Sequence, residues 1–254
     1  MAGLSLIKMY SSDTDEDEQD EGKKEDTAKI INKLALPESI LSWKGVAHHE
    51  EVIDDPLDHD GRIRSFKHER GNWATLVYIN YAASDGLLAW MNSVLKELPV
   101  KGDVISELHI SLSRTLILKF HWIESFAENL KLLCCRFNRF VLQLTDVRVY
   151  CNEEKTRTFL GIYCQNDDGI LKCLIKALDD LLAEYQLPLY YEDTSYHISF
   201  FWCLGDQQTR LRKILPSLTS SLNEFLAENI EDNYRKVNEI QCKIGNKCYA
   251  FELR

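Results

Sequence analysis

The sequence lacks the features that mark secreted, membrane-spanning or zinc-cluster proteins. It has no apolar run of the roughly 20 residues that a membrane span needs. Residues 1–20 turn acidic where a secretory signal would continue with an apolar stretch. The eight cysteines include no CxxC pair, which argues against a zinc cage and a disulfide framework. We therefore expect an intracellular protein with reduced cysteines, and no membrane or metal partner.

The chain also has little positive charge to offer to nucleic acid. Its formal net charge of −10 argues against a broad basic surface for binding RNA or DNA. The acidic excess is concentrated in residues 1–26, which hold nine acids and three bases. The rest of the chain therefore holds 31 of the 40 acidic residues and 27 of the 30 basic residues. Because this remainder is near balance, a local site for an anion is compatible with the composition.

Patterns of strands and helices alternate from Gly61 onward and predict an α+β domain over residues 61–254. Residues 1–60 are predicted to be an acidic, largely disordered region. Strands are predicted at 74–81, 104–113, 139–150, 157–164 and 196–203. Helices are predicted at 84–98, 121–136, 168–185 and 206–228, the last interrupted at Pro216, and a closing hairpin turns at Gly245-Asn246.

A short motif occurs twice, as "LHISLSRT" at 108–115 and as "YHISFFW" at 196–202. In a strand, residues i and i+2 face the same way, so His109 projects with Ser111, and His197 with Ser199. The histidines lie 88 residues apart, about the length of a lobe with several strands and two helices. If the two lobes are pseudo-symmetric, the motif strands can lie side by side and present both pairs to one cavity.

Two histidines and two serines in one cavity suit phosphate chemistry. Imidazole titrates near neutral pH, so one ring can accept a proton from a nucleophile while the other donates to a leaving oxygen. Serine hydroxyls can hold phosphate oxygens without a metal ion. A single HxS pair would be a weak signal, and the repetition is what indicates a joint site. The unpaired histidines are interpreted as surface or structural residues: His48, His49, His59, His68 and His121.

Tandem HxS motifs on strands resemble those of the two-histidine phosphoesterase superfamily. Further segments resemble its U6 small nuclear RNA phosphodiesterase family, in the same order along the chain: "GRIRSFKHERGNWATLVYI", "NEEKTRTFLG", "YYEDTSYHISFFWCLGD" and "KIGNKCYAFEL". The resemblance implies a bilobal fold, with two pseudo-symmetric lobes of antiparallel sheet and outer helices. It also implies a monomeric, nuclear, metal- and cofactor-independent 3′-to-5′ exoribonuclease that trims the uridine-rich 3′ tail of U6 RNA.

The resemblance also assigns roles to individual residues. His109 and His197 would be the catalytic pair, and Ser111 and Ser199 would hold the phosphate. Tyr191 would stack on a base. The remaining assignments are to the pocket for the terminal nucleotide: Asp193, Ser195, Tyr196 and Glu153. An amide is expected at the last of these positions, so a carboxylate beside phosphates is a departure.

The hypothesis for the reaction is attack of a ribose 2′-hydroxyl on the adjacent phosphorus, which leaves a 2′,3′-cyclic phosphate. The sequence does not assign base and acid to particular histidines, nor does it decide whether the cyclic phosphate is opened. One alternative is a cyclic phosphodiesterase or ligase-like enzyme of the same superfamily, acting on other RNA ends. Another is a U6-binding scaffold without activity, although the intact HxS pairs argue against it.

Overall fold

The computed structural model describes residues 69–192 and 194–254, together with the isolated residues Glu38 and Phe66. Apart from Glu38, the predicted acidic region of residues 1–60 lies outside the described residues, as does Asp193. No helix in the described part of the chain is long and apolar enough to cross a membrane.

The strands of the described residues form one ten-stranded sheet in which neighbouring strands run antiparallel. In chain order they are β1 (Asn72–Asn80), β2 (Asp103–Val104), β3 (His109–Ser111), β4 (Leu116–Lys119), β5 (Phe140–Cys151), β6 (Arg157–Gln165), β7 (His197–Leu204), β8 (Tyr234–Val237), β9 (Glu239–Ile244) and β10 (Lys247–Glu252). Their order across the sheet is β10-β9-β1-β3-β7-β6-β5-β8, while β4 pairs with β1, and β2 pairs with β7.

The two motif strands, β3 and β7, meet at the centre of this order. Four strands lie on each side of the junction, β10-β9-β1-β3 on one and β7-β6-β5-β8 on the other. In the closing hairpin β9 pairs with both β10 and β1. The first and the last strand of the described residues therefore lie in the same half of the sheet. The α+β class predicted from the sequence patterns and the antiparallel sheet implied by the resemblance are thus confirmed.

The described residues also form six α-helices. They are α1 (Asp85–Glu97), α2 (Ile123–Cys134), α3 (Ile170–Glu184), α4 (Gln208–Arg212), α5 (Leu215–Glu228) and α6 (Ile230–Asn233), with a 3₁₀ turn at Phe120–Trp122. Trp90 of α1 packs edge-on against Phe200 of β7. In α3, apolar residues at helical spacing form a stripe that is buried in the core: Leu171, Leu174, Ile175, Leu178, Leu181 and Leu182.

Sequence patterns misplaced several local features. The strand predicted over 104–113 is divided into β2 and β3, and the short strands β4 and β8 were not predicted. Pro216 does not interrupt a helix, because it lies in the first turn of α5, where a missing amide proton removes no helical hydrogen bond. The break lies just before it, between Arg212 and Leu215.

Two bulges decide which side chains of the second half of the sheet face away from the core. In β5 the pairing shifts between Leu144 and Val147, so the buried positions change from even to odd numbers. Tyr150 is thereby directed to the face that carries the histidines. In β7 the pairing with β6 shifts next to Ser199, and the strand is buried from Phe200 to Cys203.

Candidate active site

The β3–β7 junction places the two HxS motifs directly against each other. Ile110 pairs with Ile198, and both side chains are fully buried in the core. The histidine and serine on either side of each isoleucine face the opposite way. Because the strands are antiparallel, this register puts His109 opposite Ser199 and Ser111 opposite His197. Each histidine therefore lies across from the serine of the other motif.

Both imidazoles are fixed in the same way by the backbone. Nδ1 of His109 lies 2.8 Å from the carbonyl oxygen of Glu107, and Nδ1 of His197 lies 2.8 Å from that of Ser195. A carbonyl oxygen can only accept, so each Nδ1 carries the proton and donates it. Nε2 of each ring is then the atom free for proton transfer.

The environment of His197 favours its neutral form. Burial lowers the pKa of the His197 imidazole to about 4, and electrostatic interactions with His109 and Arg148 act in the same direction. The hydrogen bond to Ser195 opposes the shift only in part. At neutral pH, Nε2 of His197 is therefore an unprotonated acceptor, which is the state that a general base requires.

Tyr150 and Gly161 set the position of the His197 ring. The rings of Tyr150 and His197 are stacked, with centroids 3.6 Å apart, and the Tyr150 hydroxyl lies 3.0 Å from Oγ of Ser195. Gly161 faces this pair from β6. A Cβ atom there would lie 3.0 Å from Cδ2 of His197 and 3.1 Å from Cε2 of Tyr150. Only glycine leaves the stack undisturbed.

A cavity of about 880 Å³ opens above the motifs. Of the predicted site residues, the cavity is lined by His109, Ser111, Glu153, Tyr191, Ser195 and His197. Ser199 is half-buried beside the junction and is not among the lining residues. Tyr196 does not line the cavity either, because it alternates with His197 and faces the core, where it is stacked with Tyr190. Asp193 lies outside the described residues.

The loop that carries Tyr191 is held to the motif strand by Tyr190. The Tyr190 amide donates to Asp179 of α3, and its hydroxyl donates to the backbone oxygen of Ser111 at 3.1 Å. Its ring meets that of Tyr191 edge-on, with centroids 5.4 Å apart. Tyr191 itself is 44% exposed, so part of its ring is accessible from the cavity.

A charged pair forms the cavity wall beside Tyr191. The guanidinium of Arg114 contacts both carboxylate oxygens of Glu153, at 2.9 and 3.1 Å. The guanidinium carbon of Arg114 also lies 4.1 Å from the centroid of the Tyr191 ring. Glu153 has a carboxylate where the resemblance led us to expect an amide, and Arg114 neutralises this carboxylate at the cavity wall.

Sequence reasoning missed Arg114, Tyr150, Gly161 and Tyr190. Arg114 could have been suspected, since it follows the first HxS motif by only three residues. Tyr150 and Gly161 had no such signal, because their faces depend on the bulge in β5 and on the pairing of β6 with β7.

Comparisons with known proteins agree on one family. The HVSL family, described as an uncharacterised conserved protein, matches residues 34–252. U6 snRNA phosphodiesterase 1 of Danio rerio is 36% identical over 234 residues, which are 90% of this chain and 83% of that protein. The protein of the same name from Homo sapiens is 32% identical over 261 residues, 96% of this chain and 97% of that protein.

The chain belongs to the U6 snRNA phosphodiesterase family. This membership confirms the recognition made from the motifs and the prediction of a phosphodiesterase. The family match begins at residue 34, before the predicted start of the domain at Gly61. A solved structure of Kluyveromyces marxianus Usb1 with uridine monophosphate is 15% identical, covers 71% of this chain and 98% of its own, and has a TM-score of 0.50. At that identity the likeness supports the fold.

Proposed function

We propose that this protein processes the 3′ end of U6 small nuclear RNA in the nucleus, as a monomeric 3′-to-5′ exoribonuclease that removes terminal uridines. The observation that carries the proposal is the β3–β7 junction. It presents two imidazoles, each with Nδ1 fixed on a carbonyl and Nε2 free, across from two serines. The substrate is supported by the relatives that carry the name U6 snRNA phosphodiesterase 1.

In the proposed reaction, His197 is the general base. Its lowered pKa leaves Nε2 unprotonated, so it can take the proton of the 2′-hydroxyl on the penultimate ribose. The 2′ oxygen attacks the adjacent phosphorus, and the bond from phosphorus to the 5′ oxygen of the terminal residue breaks. His109 donates the proton that this oxygen needs. The products are the released terminal residue and an RNA ending in a 2′,3′-cyclic phosphate.

The other side chains of the cavity hold the substrate. Ser111 lines the cavity, and Ser199 lies beside the junction next to it; we propose that both hydroxyls donate to the phosphate oxygens on which charge develops. Tyr191 offers its exposed ring to a base. Two proton-transfer groups contribute roughly 10²–10⁴-fold each, so such a reaction can proceed without a metal ion.

The test is incubation with a synthetic RNA that carries a 3′ oligouridine tail, in excess EDTA, with the product end identified by mass spectrometry. We expect stepwise shortening and an end that is a 2′,3′-cyclic phosphate, or a 3′-phosphate if the ring is then opened. Activity that requires added Mg²⁺ or Mn²⁺ would contradict the mechanism. Preferential hydrolysis of a small cyclic phosphate would favour the alternative substrate, and no shortening of any RNA would favour a scaffold.

A further inference from the structure

The contacts of Arg114 join two cavity residues that the reaction itself does not use. Arg114 follows the first HxS motif, Glu153 lies just after β5, and Tyr191 lies in the loop before β7. The guanidinium binds both oxygens of Glu153 and lies 4.1 Å from the centroid of the Tyr191 ring. Three distant segments of the chain therefore converge on one guanidinium at the cavity wall.

The geometry of this cluster can hold the Tyr191 ring in a fixed position. A guanidinium over an aromatic face is attracted by the electrons of the ring, and a planar fork held by a carboxylate has a fixed orientation. Stability is a poor explanation for the pair, because the Arg114 and Glu153 side chains are 32% and 63% exposed, and exposed pairs stabilise proteins little.

The charge of the cluster matters as well. A lone carboxylate at Glu153 would repel an anionic RNA end. In the structure the guanidinium of Arg114 contacts both oxygens of this carboxylate and cancels its charge. The cluster is thus close to neutral while it supports Tyr191.

We propose that Arg114 is a positioning residue for recognition of the terminal base: held by Glu153, it fixes the Tyr191 ring against which the base stacks, and it cancels the carboxylate's charge. This proposal rests on the proposed function, since it concerns how the same cavity binds the RNA end. It assigns base recognition to the Arg114–Glu153–Tyr191 cluster and leaves proton transfer to the histidines.

The experiment separates stacking from charge by comparing two oligouridine RNAs, one ending in uridine and one ending in an abasic ribose. Both RNAs have the same phosphates and 2′-hydroxyls. Charge effects therefore cancel in the KM ratio, which is the KM of the abasic RNA divided by the KM of the uridine RNA. In the wild-type protein the abasic end should raise KM about five- to 150-fold, which is the usual range for one stacked base. Tyr191→Ala should remove most of this difference.

Arg114→Gln should lower the KM ratio about two- to fivefold, the range for one cation–π contact, with kcat on the uridine substrate nearly unchanged. Glu153→Gln should lower the ratio by a similar or smaller factor. The variant that combines Arg114→Gln with Glu153→Gln should have a KM ratio no lower than that of Arg114→Gln alone, because the two residues act as a unit. Arg114→Lys keeps the charge but loses the fork, so its ratio should also fall.

The abasic substrate reports the charge effect by itself. Arg114→Gln should raise its KM about three- to tenfold, because a bare carboxylate then faces the RNA. Adding Glu153→Gln should reverse that increase. The matched controls are Arg212→Gln and Glu224→Gln, which make the same charge changes outside the cavity lining and should leave both KM values as in the wild type.

Outcomes that overturn the proposal are distinct from those that overturn the function. If the wild type trims both RNAs but the KM ratio is unchanged in Arg114→Gln and Glu153→Gln, the cluster acts only through charge and the positioning role is wrong. If the wild type trims neither RNA, the proposed function fails and this inference fails with it.

Discussion

The phenol ring of Tyr150 lies flat against the imidazole of His197, with ring centroids 3.6 Å apart and planes inclined by 13°. The Tyr150 hydroxyl also contacts Oγ of Ser195, whose carbonyl oxygen accepts from Nδ1 of the same imidazole. Burial of this cluster raises the pKa of Tyr150 to about 12, so the phenol stays protonated at neutral pH. The imidazole proposed as the general base is thus held both by stacking on its ring face and by the hydrogen bond of its Nδ1.

Gly161→Ala should reduce kcat about tenfold and leave KM nearly unchanged. The added Cβ would lie 3.0 Å from His197 and 3.2 Å from the backbone oxygen of Ile198, so the imidazole must shift by a few tenths of an ångström. Displacements of about 1 Å can cost roughly 100-fold in rate. Steady-state kinetics on the oligouridine RNA would measure the effect. Gly86→Ala is the control, because its Cβ meets Phe225 at an ordinary 3.4 Å.

His109→Ala and His197→Ala should each reduce trimming by about 10²–10⁴-fold, because each removes one proton transfer. The double variant should be no slower than the slower single variant, since the two groups act in one step. Single-turnover rates on the oligouridine RNA would measure this. His121→Ala, which changes an exposed histidine outside the cavity, should retain full activity. Near-normal activity in either single variant would disprove paired acid–base catalysis.

The acid limb of the pH–rate profile should lie well below the ordinary imidazole pKa of about 6.5. The profile of kcat/KM reports the free enzyme, and His197 must be unprotonated to act as the base. With its pKa lowered to about 4, activity should persist as the pH falls through 6 and decline only toward 4. A limb centred near 6.5 in protein that stays folded by circular dichroism would contradict this assignment.

The same shift makes stability depend on pH. In the unfolded chain His197 binds a proton below about pH 6.5, whereas the native state resists it down to about 4. The contribution of His197 to the free energy of unfolding is therefore fully present above pH 6.5. It is lost as the pH falls from 6.5 toward 4, and the loss is about 3 kcal/mol at most. Urea unfolding of the wild type and His197→Gln at pH 7 and pH 4.5 would measure the difference. The variant should lose less stability between the two pH values, and an equal loss would argue against the shift.

An oligouridine with a 2′-deoxy sugar at the penultimate position should bind but resist cleavage. The missing hydroxyl is the proposed nucleophile, while phosphate, bases and charge are unchanged. It should therefore compete with the normal RNA, whereas an RNA with the deoxy sugar only at its terminal position should still be trimmed. Competition assays and product sizing would show both effects. Cleavage of the penultimate-deoxy RNA at a normal rate would mean that water is the nucleophile.

Short-range patterns predicted much of the fold and the centre of the site. Alternation with period two put His109 and Ser111 on one face and Ile110 on the other, and the structure shows this arrangement. The helical stripe of α3 and the turn at Gly245-Asn246 follow equally from local spacing. Such features depend on residues close in the chain, so the sequence alone is enough to predict them.

Tertiary structure decided the rest of the site. The register of Ile110 with Ile198 places each histidine opposite a serine, and no local pattern contains that register. Tyr196 is predicted for the pocket by resemblance but faces the core, because alternate residues of an extended chain point to opposite sides.

The sequence by itself determined which residues are the candidates for proton transfer, since the HxS repeat can be read directly from the order of the residues. Only the tertiary structure decided what surrounds them. The bulge in β5 turns Tyr150 onto His197, and the loop before β7 brings Tyr191 against the Arg114–Glu153 pair. These contacts join residues tens of positions apart, and a period of two or 3.6 residues contains no information about how distant strands are paired or shifted.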